Sequence, residues 1–497
     1  MVIRTAVEPA IRRERIVMIM YRKALVASLA LLLNGCLVGP DYHRPPVPVP
    51  AGYKELEGWT VAAPSADAPK GDWWTVFNDP LLDTLEPMVS VSNQTVRQDY
   101  ANYQEALAEV QVARSALFPT AAVTGSATKQ HAARASVGTP GASGTVTAGS
   151  LEGNVSWAPD LWGAVRRAIQ ESKATAQASA ATLANATLSE QTALATAVID
   201  LRVTDANIDL LRKTVEAFTE SLRVVSNQGA AGTAPPLDVI TARTQLENTQ
   251  ASLIALGVAR AQDAHAIAVL VGKNPEDLDI PHSTAIPKLP SVPAGVPSAL
   301  LQRRPDVAIA ERQMAAQNAA IGVAVAAYYP NLSLSAAGGF SQSPLAGLLH
   351  AANHVWSLGA AASETVFDAG ERHGQVSAAK AAYEASVANY RGTVLKAFQN
   401  VEDDLSGLRI LAQEGEVLDS AVKDATRGSE IALNEYQAGT VDYTTVAAAQ
   451  ATQLSTEESA LNVRQQRLLS TVSLIGDLGG DWSASATDDA EKTAARH

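Results

Sequence analysis

One cysteine, a pair of histidines and a few carboxylates beside turns are the residues of this 497-residue chain whose types and spacing could do chemistry. Cys36 has no second thiol to pair with and cannot build a zinc site alone. His350 and His354 stand four apart, a spacing that can share a metal on a helix. They flank a predicted strand in a loop instead, and they lack the further ligands that a zinc site needs. Asp238 directly follows Pro235-Pro236-Leu237 at a predicted helix start, where an aspartate is a natural cap. The chain has no GxxxxGK(S/T) phosphate loop, no HExxH helix and no nucleophile elbow. No catalytic constellation is assembled, so no enzyme is expected, and no cofactor beyond a covalent group on Cys36.

The setting of Cys36 defines that group. Arg22 and Lys23 precede the apolar run from Ala24 to Leu33, followed by Asn34, Gly35 and Cys36. A basic start, about ten apolar residues and small residues before a cleavage point make a secretory signal over residues 1–35. The run is too short to span a bilayer, which takes about 20 helical residues. Leu33-Asn34-Gly35-Cys36 resembles a lipobox, in which the cysteine is acylated and becomes the first residue of the mature chain. Leu37, rather than Asp, follows it, as in lipoproteins sorted to the outer membrane. No other segment reads as a membrane-spanning helix.

Charge and composition narrow the field further. The formal net charge is −13, and removing the first 35 residues, with six basic and two acidic side chains, takes it to −17. With no basic stripe, nucleic acid is not an expected partner. The chain is rich in Ala and poor in aromatics, which suits closely packed helices. Leu194, Leu201, Ile208, Val215 and Leu222 recur every seven residues, with Ala197, Thr204, Leu211, Phe218 and Val225 three positions later. This is a heptad seam. It continues in Val239, Leu246 and Leu253 beyond a turn from Gly229 to Pro236, and returns in Val387, Tyr390, Val394, Val401 and Leu408. From Ala164 to Gln228 the pattern predicts one helix about 100 Å long at 1.5 Å per residue, far beyond the length usual in a compact domain.

The chain also repeats itself. Ala116-Leu117-Phe118-Pro119 is echoed by Ala327-Tyr328-Tyr329-Pro330, Asp160-Leu161-Trp162-Gly163 by Phe367-Asp368-Ala369-Gly370, and Gly232-Thr233 by Gly439-Thr440. The last two matches share one offset, since 370 − 163 and 439 − 232 are both 207. Between the helices lie four runs of period two. Ala121, Val123 and Ala127 alternate with Thr124, Ser126 and Thr128; Leu151, Val155 and Trp157 alternate with Glu152, Asn154 and Ser156. Leu332, Leu334, Ala336 and Phe340 alternate with Ser333, Ser335 and Ser341; Trp356, Leu358, Ala360 and Ala362 alternate with Ser357 and Ser363. Each has the length and the two-faced pattern of an outer-membrane barrel strand. Four strands cannot close a barrel, and an open edge in lipid costs several kcal/mol per unpaired backbone group. Two copies would give about 8 strands and a filled interior; three would give about 12 and room for a passage. The small polar face favours three.

Arg303-Arg304-Pro305-Asp306-Val307, Ala310-Glu311, Ile321-Gly322-Val323-Ala324 and Tyr329-Pro330 resemble the signature of outer-membrane factors. These are the lipoprotein channels of tripartite efflux pumps, the NodT/OprM-like branch of the TolC superfamily. Trp73-Trp74, Phe77, Asp79-Pro80-Leu81 and Leu478-Gly479-Gly480-Asp481-Trp482 are similar too. The resemblance implies a membrane α+β fold. It would be a homotrimeric channel with four strands per chain in a shared β-barrel, a long coiled-coil helical barrel in the periplasm and a mixed equatorial domain. On it, 36–95 is the anchor, Pro-rich tether and equatorial segment, 96–285 and 286–482 are the two repeats, and 483–497 is a disordered tail. It implies a lipid-anchored exit duct in the outer membrane, partnered by a periplasmic adaptor and an inner-membrane RND transporter, passing drugs or other small toxic compounds. A protein-secretion duct of the same architecture is the alternative, and a periplasmic adaptor lipoprotein a more distant one.

The family closes its duct where inner helices converge on rings of carboxylates with Tyr and Arg partners. The matching tip here runs from Tyr436 to Thr445. Tyr436 matches a family gate tyrosine, and its hydroxyl would brace neighbouring hairpins. The family aspartates fall at Thr445 or Ala448, neither of which is acidic. Asp442 lies about one turn before Thr445, and the repeat offset places Asp238 opposite Thr445. Tyr436, Asp442 and Asp238 are therefore the expected gate residues, with surface or helix-cap roles as the plainer reading of both acids. The turns at Gly232, Thr233, Gly439, Thr440 and Val441 are the expected adaptor contacts.

Overall fold

The computed structural model describes residues 37–50, 52–55, 72–132, 144–290 and 303–480. The signal segment, Cys36, part of the Pro-rich centre and the C-terminal tail lie outside the described residues. A 3-10 turn at Trp73–Phe77 leads into α1 (Pro80–Ser92) and α2 (Gln94–Ser115). The hairpin β1 (Thr120–Ala132) and β2 (Gly144–Trp157) follows, then α3 (Ala164–Ala230) and α4 (Pro236–Leu270). The second half runs α5 (Pro305–Ala326), β3 (Asn331–Gln342), β4 (His354–Ser363), α6 (Glu371–Gln437) and α7 (Tyr443–Asp477).

The fold class expected from the sequence is the one observed. Helices α3 and α6 have 67 residues each, and α4 and α7 have 35 each. Their starts differ by 371 − 164 and 443 − 236, both 207, the offset read from the motifs. The seam is buried where the heptads put it: Leu194, Leu201, Ile208, Leu211, Phe218 and Val225 in α3, and Val387, Tyr390, Val394, Val401 and Leu408 in α6. Against the expectation of no further membrane-spanning helix, α4 is by length and apolarity alone able to cross a membrane. Its seam residues Ala242, Leu246 and Thr249 are buried, while Leu237, Ile240, Ile254 and Val258 are exposed in the single chain.

Contacts divide the chain into two compact units, each drawing on both halves. One comprises Met1–Pro45, Glu105–Ala176 and Arg312–Ala388; the other comprises Pro46–Gln104, Gln177–Glu311 and Asn389–His497. The first holds an antiparallel sheet of order β1-β2-β3-β4. Its register sorts the alternating residues onto two faces, because residues paired across strands share a side. Val123↔Gly153 and Ala121↔Val155, Val155↔Ala336 and Trp157↔Leu334, and Leu334↔Ala360 and Ala336↔Leu358 make one apolar face. The opposite face carries hydroxyls and amides that bond across strands. Thr120 Oγ1 lies 2.8 Å from Ser156 Oγ, Ser126 Oγ 2.9 Å from Ser150 Oγ, and Asn154 Nδ2 donates to Thr124 Oγ1 at 2.9 Å. Ser335 and Ser357 lie on that face. His350 and His354 bracket a 3-10 turn of three residues, Ala351–Asn353, so their spacing is not that of an α-helical metal pair.

The matched Asp-Leu-Trp-Gly and Phe-Asp-Ala-Gly motifs turn each second strand into its long helix. Gly163 and Gly370 adopt φ of +85° and +93° there, which side chains disfavour. Asp160 accepts from the backbone N–H groups of Val165 and Arg166 at 3.1 and 3.0 Å, satisfying orphan donors of α3. Trp162 stacks on Tyr329 with centroids 4.8 Å apart, and its indole N–H donates to the Pro330 carbonyl at 2.7 Å.

In the other unit, Trp73, Trp74 and Phe77 of the family motifs lie in a packed core. Trp73 meets Trp74 and Phe77 edge-on at 5.9 and 6.5 Å, amid Leu82, Leu85, Leu194, Leu201 and Ile267. Asp79 caps α1 by accepting from Leu81 N at 2.7 Å and pairs with buried Arg202 at 3.0 Å. Arg304 bridges Asp306 and Asp477 at 2.7 Å each. Gly479, at φ +91°, crosses so close to Arg303 that a Cβ would stand 2.3 Å from its carbonyl oxygen.

Candidate functional site: hairpin turns and anchor segment

The two helical hairpins end in turns of the same design. Gly232 and Gly439 both take φ +75°. Thr233 N donates to Gln228 O and Thr440 N to Glu435 O, each at 2.9 Å; Gly232 N donates to Gly229 O and Gly439 N to Tyr436 O. Each is a Schellman closure, in which a left-handed residue lets the chain satisfy the last carbonyls of the helix. The threonine hydroxyls add a second bond to the same carbonyls, at 3.0 and 2.9 Å. No atom lies within 4 Å of a Cβ built on either glycine, so backbone conformation alone requires glycine there.

Side chains beside the turns do not follow the repeat. Tyr436 and Tyr443 meet edge-on at 5.4 Å, in a cluster with Val225, Ala242, Ala432 and Val446, against which Val441 packs. The Tyr436 hydroxyl is buried and has no hydrogen-bond partner within the chain, so the bracing expected of it is not made there. Tyr443, which the sequence reading passed over, is buried, and its hydroxyl bonds Ser221. Gln450 Nε2 donates to the same serine at 3.3 Å. Burial pushes the Tyr443 phenol up to about 12. Ser221 lies one position before the seam residue Leu222, so the heptad pattern carried no signal for this cluster.

Asp238 is not a helix cap. Pro235 occupies the N-cap position of α4, and Asp238 sits in its first turn with a side chain only 6% exposed. Burial raises its pKa, and the nearby Asp442 carboxylate raises it further. Asp442 does hold the N-cap position of α7, but its side chain makes no capping bond. Thr445, the repeat equivalent of Asp238, is exposed, as is Ala448.

In the sheet-bearing unit, the segment following Cys36 is clamped. Arg167, nearly fully buried, donates from Nε to Val38 O, and from Nη2 to Gly39 O and Asp41 Oδ1, at 3.0 Å each. Asn318 Nδ2 donates to Pro40 O at 3.1 Å, and Val38 N to Trp162 O at 3.2 Å. Gly39, at φ +89°, crosses Gly322 so closely that a Cβ on it would stand 2.5 Å from Gly322 Cα. Leu37 lines a groove of about 430 Å³ with Leu117, Phe118, Ile169, Arg114 and Lys173.

The family model for outer membrane efflux proteins matches residues 88–273 and again 296–480. The chain belongs to that family. It is 31% identical over 462 residues to the toluene efflux pump outer membrane protein TtgC of Pseudomonas putida, covering 92% of this chain and 95% of the relative. It is 28% identical to the outer membrane protein OprJ of Pseudomonas aeruginosa over 91% of this chain and 95% of the relative. Among solved structures it matches the outer-membrane channel OprN with a TM-score of 0.83 and 28% identity, over 90% of this chain and 99% of that one. The CmeC channel of Campylobacter jejuni, 22% identical, shares the fold with a TM-score of 0.84 over 92% of this chain and 98% of that one. As a member of the family the chain is an outer-membrane exit duct of an efflux system. Its strands belong to the outer membrane and its long helices to the periplasm.

Proposed function

We propose that three copies of this chain form the outer-membrane duct of a tripartite, RND-type pump and conduct small toxic organic compounds passively from a periplasmic assembly. The observation that carries this reading is the sheet: four strands with open edges, one apolar face and one hydroxyl-lined face. Relatives named for toluene and antibiotic efflux support the cargo class. The paired turns at Gly232, Thr233, Gly439, Thr440 and Val441 are the surface offered to the adaptor. Cys36 carries the covalent lipid, and the Arg167 clamp holds the residues after it. The duct does no chemistry of its own, and its drive comes from the inner-membrane transporter.

Closure lies at the turn cluster, where threefold symmetry makes Tyr436, Asp442 and Asp238 into rings. Crowded carboxylates of like charge attract cations and hold protons. With the Tyr436 hydroxyl bracing another copy in the trimer, Tyr436→Phe with Asp442→Ala should raise single-channel conductance in planar bilayers, and in cells it should admit large antibiotics. Unchanged conductance would move the gate elsewhere. Thr445→Asp should increase cation selectivity; no change would remove that position from the lumen. For the anchor, Cys36→Ser should abolish labelling by a radioactive fatty acid, and labelling that persists would exclude Cys36. In the barrel, Arg at Leu334 or Leu358 should cost about 2–4 kcal/mol near the bilayer midplane, whereas Arg at Ser335 or Ser357 should chiefly alter conductance. Like behaviour of both pairs would mean the faces are reversed or the register is wrong.

A further inference from the structure

In the single chain β1 and β4 are the sheet edges, and in lipid their outward N–H and C=O groups must find partners. The two hairpins superpose pair for pair. Moving β1 by 331 − 120, or 211 residues, and β2 by 363 − 156, or 207 residues, turns the pair Thr120↔Ser156 into Asn331↔Ser363, a pair the sheet makes. The same two shifts carry Thr124↔Glu152 onto Ser335↔Gly359, also made. The seam between the hairpins, β2 against β3, is equally defined: Gly153↔Gly338, Asn154↔Ala337 and Ser156↔Ser335. In a closed ring of repeats, each seam between hairpins is equivalent to the next.

Carrying that seam one hairpin onward, we propose that β4 pairs antiparallel with β1 of a second copy of this chain, Ala360 opposite the partner subunit's Ala127 and Ala361 opposite the partner subunit's Ser126. The inference rests on the three-copy assembly proposed above and fixes its strand register. Gly153↔Gly338 becomes the first of these pairs and Asn154↔Ala337 the second; Ser156↔Ser335 becomes Ser363 opposite the partner subunit's Thr124.

Two independent features agree with this register. Ala360 lies on the face of Leu334 and Leu358, and Ala127 on the face of Val123 and Val155, so the apolar faces join without a break. A slip of one residue would set every apolar side chain of one copy against the hydroxyl face of the next. Val366 and Phe367, 94% and 86% exposed, are the most exposed large apolar side chains among the described residues. Just beyond β4, they run on toward the partner subunit's Ala121 and Thr120, where the new seam covers them.

Paired cysteines in the full-length protein, expressed in the outer membrane, test the register. Ala127→Cys with Ala360→Cys on the apolar face, and Ser126→Cys with Ala361→Cys on the polar face, should give covalent dimers and trimers on oxidation. Each single variant should give none. Ala127→Cys with Ala362→Cys, displaced by two residues, should cross-link at least tenfold less, because diagonal neighbours about 7–8 Å apart exceed disulfide reach. Cross-linking through the displaced pair, or none through either opposed pair in a protein that still migrates as a native trimer, would overturn the register. Absence of any native trimer from the unsubstituted protein would overturn the assembly reading on which the register rests.

Discussion

Two regions of the helical unit differ in how their charged groups are paired. In the motif core, Asp79 is shared between a helix N-terminus and Arg202, and Arg304 is held between two carboxylates. In the turn cluster, the Tyr436 hydroxyl and Gln245 Oε1 are buried without partners, and Asp238 is buried beside another acid. Paired charges fix one arrangement, since breaking either partner leaves a buried charge. Both regions also bury polar atoms without partners. The core is pinned by its ion pairs, whereas Asp238 in the turn cluster faces another acid.

The largest expected effect breaks the core. Asp79→Ala strands Arg202 and removes the α1 cap, and should lower unfolding free energy by about 3–5 kcal/mol. A loss below about 1 kcal/mol in denaturant titrations would mean that the pair is not what fixes this region. Glu86 stands with Trp73 Nε1 and Arg202 Nη1 among the unpartnered buried groups of the core: both its oxygens are buried without partners, and burial pushes its pKa up to about 9. A carboxyl with a folded pKa above its unfolded value penalises folding as pH rises, from its unfolded pKa near 4.5 up to about 9. Glu86→Leu should gain about 3 kcal/mol at pH 7 and flatten stability between pH 5 and 9; an unchanged pH profile would refute the burial argument.

Smaller effects belong to the turns. Gly232→Ala and Gly439→Ala should each cost about 1–2 kcal/mol, and by equal amounts, because the two backbones match. Unequal losses in thermal unfolding would show that side-chain surroundings, not φ, dominate. Asp238→Asn should remove a local pH dependence that Thr445→Asn does not touch. With Asp238 raised, the cluster is most stable with that carboxyl protonated and loosens as pH rises through its folded pKa. Hydrogen exchange at the two turns, followed as pH rises from 3.8, would separate them; indistinguishable responses would set aside a special role for Asp238.

Much of the fold was legible because its signals are local. A period of two named the four strands, a period of seven named the long helices, and a constant offset paired the halves. The Gly232 and Gly439 turns were equally readable, since a left-handed backbone favours glycine. The family motifs pointed to the right fold, but their residues turn out to be structural: Gly322 admits the crossing of Gly39, and Arg304 ties two segments together. The candidate gate was only partly legible. Asp238 looked like a cap because it follows two prolines, yet Pro235 takes that position and the carboxyl turns inward.

The sequence by itself determined the elements, their lengths, the duplication and the two-faced strands, because each follows from residues near one another in the chain. Only the tertiary structure decided which hydroxyl is paired, which acid is buried, what holds the segment after Cys36 and which strand residues face each other. Most of those outcomes depend on distant partners, such as Arg167 for Val38 or Ser221 for Gln450. Their distances and desolvation exist only once the chain has packed.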